Sequence, residues 1–416
     1  MPDAPPILPP SPGGLPEARL DAIRRYRPKR LRQIMKKRNV PVILAYDPVN
    51  IRYITDARNM QVYALNTDCR YALIAAEGPT ILFEWNNTID FFRGHPEIDE
   101  IRCAHTWGFV SEGDGISGTG NAGVLDRWAD EIADIVKSVS PDDLRLGVDR
   151  MGFRGVAALA DRGVTVIDGQ GALYEARSIK SEDEIAAIRL AIAACEEGFR
   201  RMREETVPGM TEVEVWAKLH QANIEWEGEW INARLLASGP RTNPWMQEAS
   251  LRVIEKGDIV AVDSDLIGPY GYAADISRSW IADGKPTDRQ RRLYATAHDH
   301  IAYNIELFQP GRSFKEVEAL NKRIPEEFTD QMFSSFAHGL GLFNEWPIIM
   351  TAQKTDTPGG YGGGYDGILE PGMTICIESY IGEVDGPDGV KLEQQILITE
   401  TGPELLSHFP FEENWL

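Results

Sequence analysis

The sequence predicts an α/β (α+β) protein built as two successive folded regions. Three observations carry that expectation. Short β-branched runs alternate with helical patterning before about residue 170, two helix-start signatures follow, and strand-and-turn patterning dominates beyond Leu235. A chain of 416 residues has room for two domains at ~150 residues each. With 43% hydrophobic and 26% charged residues it can bury a core, which excludes a disordered or fibrous chain.

Taken in order, residues 1–16 are expected to be an extended or flexible arm, because positions 2–16 hold seven prolines and little that packs. From Glu17 to Asn39 the pattern is helical and basic (Arg24, Arg25, Arg27, Lys29, Arg30), which reads as a solvated helix face. Strands are expected at Val42–Tyr46, Tyr71–Ala75, Thr80–Glu84, Leu146–Asp149 and Val164–Asp168, with a helix from Val124 to Val139. These make a first domain over 17–172. The second, over 173–416, opens on Ser181 and Glu184, spaced as a capping box, before Ile185, Ile188, Ile192, Cys195 and Phe199 at helical spacing. Val207-Pro208-Gly209 stops that helix, and Thr211 with Glu214 starts another.

Charge narrows the partners. There are 43 Lys and Arg against 64 Asp and Glu, a net charge of -21. A phosphate-backbone binder needs a basic footprint, so nucleic acid and anionic membrane surfaces are not expected partners. No apolar run approaches the ~18 residues of a membrane span, and the first residues lack a secretory pattern. Cys69, Cys103, Cys195 and Cys376 are scattered, which suits reduced thiols in a cytoplasmic protein rather than metal-binding clusters.

The chemistry concentrates between Ile259 and Ile398. Ile259–Asp265 reads as a strand ending in Asp263 and Asp265, which alternate positions would turn to one face. A turn at Gly268-Pro269-Tyr270-Gly271 returns the chain through Asp275. His338, Glu378 and Glu393 follow, each in or beside an apolar strand-like run where an unpaired charge is costly. Five carboxylates and one imidazole suffice for two divalent cations, with iron, manganese or zinc favoured over copper. The glycine-dense stretch 358–367 falls between His338 and Glu378 and suggests a flap over such a site.

The order of aspartates, then His338-Gly339-Leu340-Gly341, Glu378 and Glu393, resembles the pita-bread superfamily of methionine aminopeptidase, prolidase, aminopeptidase P and creatinase. The resemblance spans almost the whole chain. It implies a creatinase/prolidase-like N-terminal domain and a pita-bread catalytic domain. Leu236–Trp245 and Asp263-Ser264-Asp265-Leu266-Ile267-Gly268 resemble one branch most, the peptidase-like dimethylsulfoniopropionate lyases, which release dimethyl sulfide and acrylate. The resemblance implies metal coordination by Asp263, Asp265, Asp275, His338, Glu378 and Glu393, two metal ions with iron first, and a homodimer.

Departures from the pattern are informative. Peptidases of the superfamily carry a second His about seven residues after the metal His, where this chain has Glu345. They carry another shortly after the Ser-Gly matching Ser238-Gly239, a stretch that here holds Trp245 and Met246. The lyase branch has a Tyr five residues before the metal His and a proposed base, Asp, six after it; here these are Phe333 and Asn344. An amide accepts no proton at neutral pH and Phe has no hydroxyl. Glu345, beside Asn344, is then the expected surrogate base, with Glu378 as a proton shuttle if the reaction is hydrolytic. Trp245 and Trp346 are expected to meet a substrate cation by their faces, and Arg241 to pair either a substrate carboxylate or a structural partner. Further aromatic residues near the motifs are Trp226, Trp230, Tyr361 and Tyr365.

Three functions are therefore expected in order: a metal-dependent lyase on a small zwitterionic onium-carboxylate, an Xaa-Pro dipeptidase or aminopeptidase-like hydrolase, and a non-catalytic pita-bread binding protein.

Overall fold

The computed structural model describes residues 14–108, 123–354 and 365–416. The described residues divide into two compact units, one formed by Pro16–Arg177 and the other by Ser178–Leu416 with Leu15. The division falls after Arg177 rather than at 172/173, because the helix Gln170–Ser178 continues through the expected boundary.

In the first unit the elements are α1 (Glu17–Lys37), β1 (Val42–Ala45), α2 (Pro48–Thr55), α3 (Gln61–Asn66), β2 (Tyr71–Ala75), β3 (Thr80–Glu84), β4 (Glu100–Cys103), α4 (Val124–Val139), β5 (Arg145–Val148), α5 (Phe153–Ala160), β6 (Thr165–Asp168) and α6 (Gln170–Ser178). The strands form one six-stranded sheet in the order β4-β3-β2-β1-β5-β6. β1, β2 and β3 pair antiparallel, while β3–β4, β1–β5 and β5–β6 pair parallel. Val42, Leu44, Leu73 and Phe83 pack with Trp128 and Ile132 of α4. That burial explains why their β-branched and helical spacings were readable.

The second unit contains α7 (Glu182–Glu205), α8 (Glu212–Glu225), β7 (Trp230–Ile231), β8 (Leu236–Ser238), β9 (Ile259–Asp263), β10 (Leu266–Ile267), β11 (Ala273–Ala274), β12 (Ser277–Ile281), α9 (Asp288–Ile305), α10 (Phe314–Leu320), β13 (Ser335–Leu340), β14 (Asn344–Met350), β15 (Thr374–Gly382), β16 (Gly389–Thr399) and β17 (Gly402–Leu405). An eight-stranded sheet runs β14-β13-β15-β16-β12-β9-β8, with β17 paired to β16, and β11-β10-β7 form a small second sheet. Both expected capping boxes are present: the Ser181 side chain accepts from Glu184 N, and the Thr211 side chain from Glu214 N. The helices they start pack closely, since a Cβ on Gly198 would lie 2.4 Å from Leu219 Cδ1. The expectation of strands and turns beyond Leu235 missed α9, an 18-residue helix that opens on its own capping box, Thr287 with Gln290.

Of the expected N-terminal arm, residues 1–13 lie outside the described residues. Leu15 is held, its N–H donating to the Tyr270 hydroxyl at 2.7 Å. Among the described residues no helix is long and apolar enough to cross a membrane.

The Ser181 cap satisfies a backbone N–H at the start of the longest helix of the second unit. Replacing it (Ser181→Ala) is expected to cost about 1 kcal/mol and to lower the thermal midpoint by ~2–4 °C. Calorimetry reads this directly, and an unchanged midpoint would show that the cap contributes nothing.

Candidate metal centre

Cross-strand register builds the site. On β15, Ile375 and Ile377 turn to the core while Cys376 and Glu378 turn to the opposite face. Glu378 stands opposite Glu393 on β16, and His338 on β13 stands opposite Cys376. Ser277 on β12 is registered with both Glu393 and Asp263, the last residue of β9. Strands drawn from distant parts of the chain thus set Asp263, Glu393 and Glu378 in one row, with His338 beside Cys376, two positions along β15 from Glu378.

Asp265 and Asp275 join from the hairpin beyond β9. The strand ends at Asp263, and Asp265 adopts a left-handed backbone conformation (φ 41°). Its convergence with Asp263 therefore comes from a kink, not from the expected alternation along an extended strand. A non-glycine residue in that region is strained and persists only where its surroundings hold it. Here Asp265 N donates to Asp275 Oδ1 at 3.2 Å, and Ser264 Oγ clamps the hairpin through Ala274 O and Ile276 N.

All six expected residues are thus gathered in one region, Asp263, Asp275 and Glu393 buried and Asp265, His338 and Glu378 half-buried. His338 Nδ1 faces Gly339 O at 3.2 Å, which leaves Nε2 toward Glu393 Oε1 (3.4 Å) and Asp275 Oδ2 (3.9 Å). Glu393 Oε1 is buried with no hydrogen-bond partner. One donor atom each from Asp275, His338, Cys376 and Glu393 lies within 4.8 Å of the others. An orphaned carboxylate oxygen beside an imidazole and a second carboxylate fits a divalent cation. Cys376 belongs to the cluster by position; its thiol points to Asp275 O at 3.6 Å, and burial pushes its pKa well up.

Burial dominates the electrostatics. It raises the Asp263 carboxyl to about 8, with Lys391 opposing, and lifts Asp275, Asp265 and Glu378 as well. For Glu393 burial is outweighed by Lys391 and His338, which hold it below the usual carboxylate range. Burial lowers His338, but Glu393 and Glu378 more than reverse this and bring it to about 9. Lys391 was not expected in the site. It is two residues from Glu393 and so shares its face, and a lysine alternating with Val390 and Leu392 is the signal that could have found it.

Asn344 lines a small, open cleft with Asn232, Asp265, Ile267, Ala273, Asp275, Leu340 and Phe343. Phe333 stacks on Tyr380 at 6.1 Å and lies 5.6 Å from the Lys391 ammonium. Glu345 does not fit the expected role of base. Its carboxylate accepts from Lys180 Nζ at 2.8 Å and from Leu342 N at 3.2 Å, and the two charged side chains are 1% and 2% exposed. The ion pair sits under the His338-Gly339-Leu340-Gly341 segment, where a Cβ on Gly341 would meet Glu345 Oε1 at 2.6 Å and one on Gly339 would meet Trp346 O at 2.5 Å.

Arg241 is also occupied. It pairs with Glu212, a fully buried carboxylate that also accepts from Ser238 N (2.8 Å) and Ser250 N (2.9 Å), so of its two expected roles the structural one holds. Trp245 is 6% exposed and stacks on Tyr380 in the core, which removes it from a substrate surface. Trp346 packs its edge on Phe314 (4.8 Å) and stacks on Tyr365 (6.0 Å). Trp230 packs beside Ile267, Ala273 and Leu340. Of the glycine-dense stretch, Tyr361 and the rest of 358–364 lie outside the described residues, while the Tyr365 hydroxyl accepts from Ile348 N at 2.6 Å.

Comparison with known proteins follows the same lines. The sequence pattern of metallopeptidase family M24 matches residues 186–400. Dimethylsulfoniopropionate lyase DddP of Roseovarius nubinhibens is 37% identical over 405 residues, covering 96% of this chain and 89% of that protein. The enzyme of the same name from Roseobacter denitrificans is 38% identical over 95% of this chain and 89% of its own length. An Xaa-Pro dipeptidase of Pyrococcus furiosus is 31% identical, over 56% of this chain and 64% of its own. Among solved structures, a prolidase from Thermococcus sibiricus superposes with a TM-score of 0.73 at 20% identity, over 96% of this chain and 99% of that one.

A carboxyl or imidazole whose folded pKa is raised stabilises the fold below its unfolded pKa and loses that contribution as pH rises to the folded value. Asp263 (raised to about 8) and His338 (raised to about 9) act in this direction, while the lowered Glu393 acts only in the acid range. The midpoint of chelator-treated protein should therefore fall between pH 6 and pH 9, and less so with a divalent metal present; a flat profile would contradict the burial of these groups. Separately, Lys180→Met should cost about 3–5 kcal/mol by stranding Glu345, and Lys180→Met/Glu345→Leu should recover much of it. Denaturant titration measures both, and a single-variant loss below ~1 kcal/mol would mean the pair is exposed in solution.

Proposed function

The chain belongs to metallopeptidase family M24, and from that premise we propose that it is a metal-dependent lyase cleaving the C–S bond of a small onium-carboxylate of the dimethylsulfoniopropionate type. Its fold is a mixed α/β N-terminal domain followed by a pita-bread domain, as in the prolidase structures. The observation that carries the proposal is the extent of the likeness. The match to the lyases runs at 37–38% through 95–96% of the chain, whereas the match to the Pyrococcus furiosus dipeptidase covers 56%. The buried Lys180–Glu345 pair supports the same reading, because it fills with a locked salt bridge the position where peptidases of the superfamily carry a histidine.

Asp263, Asp265, Asp275, His338, Glu378 and Glu393 would hold two divalent cations, with iron first and zinc or manganese as alternatives. Bound there, the ions supply Lewis-acid stabilisation of the negative charge that develops as a carboxylate substrate loses its α-proton. The chain's own contribution is the cleft beside these residues. Ile267, Ala273, Leu340 and Phe343 give it apolar lining. Asn232 and Asn344 bring amides able to donate to or accept from a polar substrate end. Among its lining residues the carboxylates, Asp265 and Asp275, both belong to the proposed ligand set. An independent proton acceptor is therefore missing at 344, and elimination by this chain should be slow for its branch.

The test is headspace detection of dimethyl sulfide from iron-reconstituted protein, run beside proline release from a dipeptide panel. Dimethyl sulfide without proline is expected. Asn344→Asp should raise the elimination rate by about 10²-fold or more, with Phe333→Tyr added to complete the branch pattern. Proline release without dimethyl sulfide would make the chain an amide hydrolase. Neither product from metal-loaded protein, with none from the Asn344→Asp/Phe333→Tyr variant, would leave the binding-protein reading standing.

A further inference from the structure

Lys391 lies on β16 with its side chain fully buried. Its ammonium is 2.8 Å from Glu393 Oε2, 3.1 Å from Glu378 Oε2 and 3.2 Å from Asp263 Oδ2, and it donates to Ser277 Oγ at 2.9 Å. Ser277 Oγ in turn lies 2.7 Å from Asp263 Oδ1 and 2.8 Å from Glu393 Oε2; with one proton it serves one of them at a time. The Phe333 ring, 5.6 Å from the nitrogen, covers the same charge.

Three strands, β9, β15 and β16, are therefore tied through one cation. Glu393 faces two ways, Oε2 toward Lys391 and the orphaned Oε1 toward His338. A buried ammonium is costly unless it is paired, and so is a buried cluster of carboxylates, so each offsets the other. The donors gathered around Asp275, His338 and Glu393 Oε1 lie on the side of Glu393 that Lys391 does not occupy.

We infer that Lys391 is the resident counter-cation of the metal centre: it holds Asp263, Glu378 and Glu393 in register in the metal-free chain and shares their charge with divalent ions when these bind. The inference rests on the reading of the six residues as metal ligands. Lys391 is a positioning residue, and the charge it supplies is partly interchangeable with that of a metal ion. Its loss should harm the metal-free chain far more than the metal-loaded one. A lysine that merely filled space would harm both equally.

The experiment uses the full-length chain, stripped with a chelator and reloaded with manganese(II). Thermal midpoint and bound metal per chain are measured for the natural protein, Lys391→Met and Lys391→Arg. Lys391→Met should lower the metal-free midpoint by ~5 °C or more, show a larger metal-induced rise than the natural protein, and be corrected by Lys391→Arg. Equal losses with and without manganese, or no loss, would overturn the inference. So would a Lys391→Met chain that fails to fold in saturating manganese, because the ion should then stand in for the ammonium. A natural protein that binds no manganese or other divalent metal would instead overturn the metal-centre reading beneath it. Stoichiometric binding with identical metal-induced rises in both chains would overturn the role of Lys391 alone.

Discussion

Five carboxylates are confined within one largely buried region of the second unit, and the rest of the structure depends on how their mutual repulsion is relieved. Each would be stable if solvated, and burial is what makes them costly. The strand register leaves them no escape: Glu378 and Glu393 are paired across β15 and β16, and Ser277 links Glu393 to Asp263. Lys391 and His338 supply two positive groups against five acids. That imbalance is the physical reason for reading the cluster as a seat for divalent cations, and it explains why burial lifts four of the five carboxyls while Glu393, beside both cations, stays low.

Around this centre the second unit is built to fix positions rather than to move. Two glycines beside His338 admit the Trp346 and Glu345 main and side chains at distances no Cβ would allow. Arg278 donates from its guanidinium to Glu393 O at 2.6 Å, holding the β16 backbone at the residue that faces both cations. Glu212 gathers Ser238, Ser250 and Arg241 around one buried carboxylate, which occupies the guanidinium that the sequence offered to a substrate carboxylate.

Much of the fold was legible because burial writes itself into local pattern. Tyr71–Ala75, Thr80–Glu84 and Val124–Val139 occupy the bounds that their β-branched or helical spacing indicates. β4 was not visible, since Glu100–Cys103 alternates over only four residues, with Ile101 and Cys103 its two apolar positions, and all four are exposed or half-buried. α9 was missed because its polar length, Asp288–Ile305, sits among strands and gives a weaker apolar stripe than α7. The six acid and imidazole positions were legible from residue type. The state of Glu345 was not: its partner Lys180 lies 165 positions away, and nothing local to either announces the pair. Lys391 was overlooked because attention to ligands selects acids and histidines, although its alternation with Val390 and Leu392 marks it as inward-facing.

On the proposed lyase function, the likeness to dimethylsulfoniopropionate lyases and the presence of Asn344 where the resemblance implies an acid pull in different directions; a cation-binding shell with a changed proton-accepting position would reconcile them. The central claim is the cation seat itself. Anomalous scattering from a crystal grown with manganese(II) addresses it most directly: density bounded by Asp275, His338 and Glu393 is the result expected from this geometry. A crystal with no anomalous signal there, and with Glu393 Oε1 hydrogen-bonded to a protonated His338 instead, would contradict it.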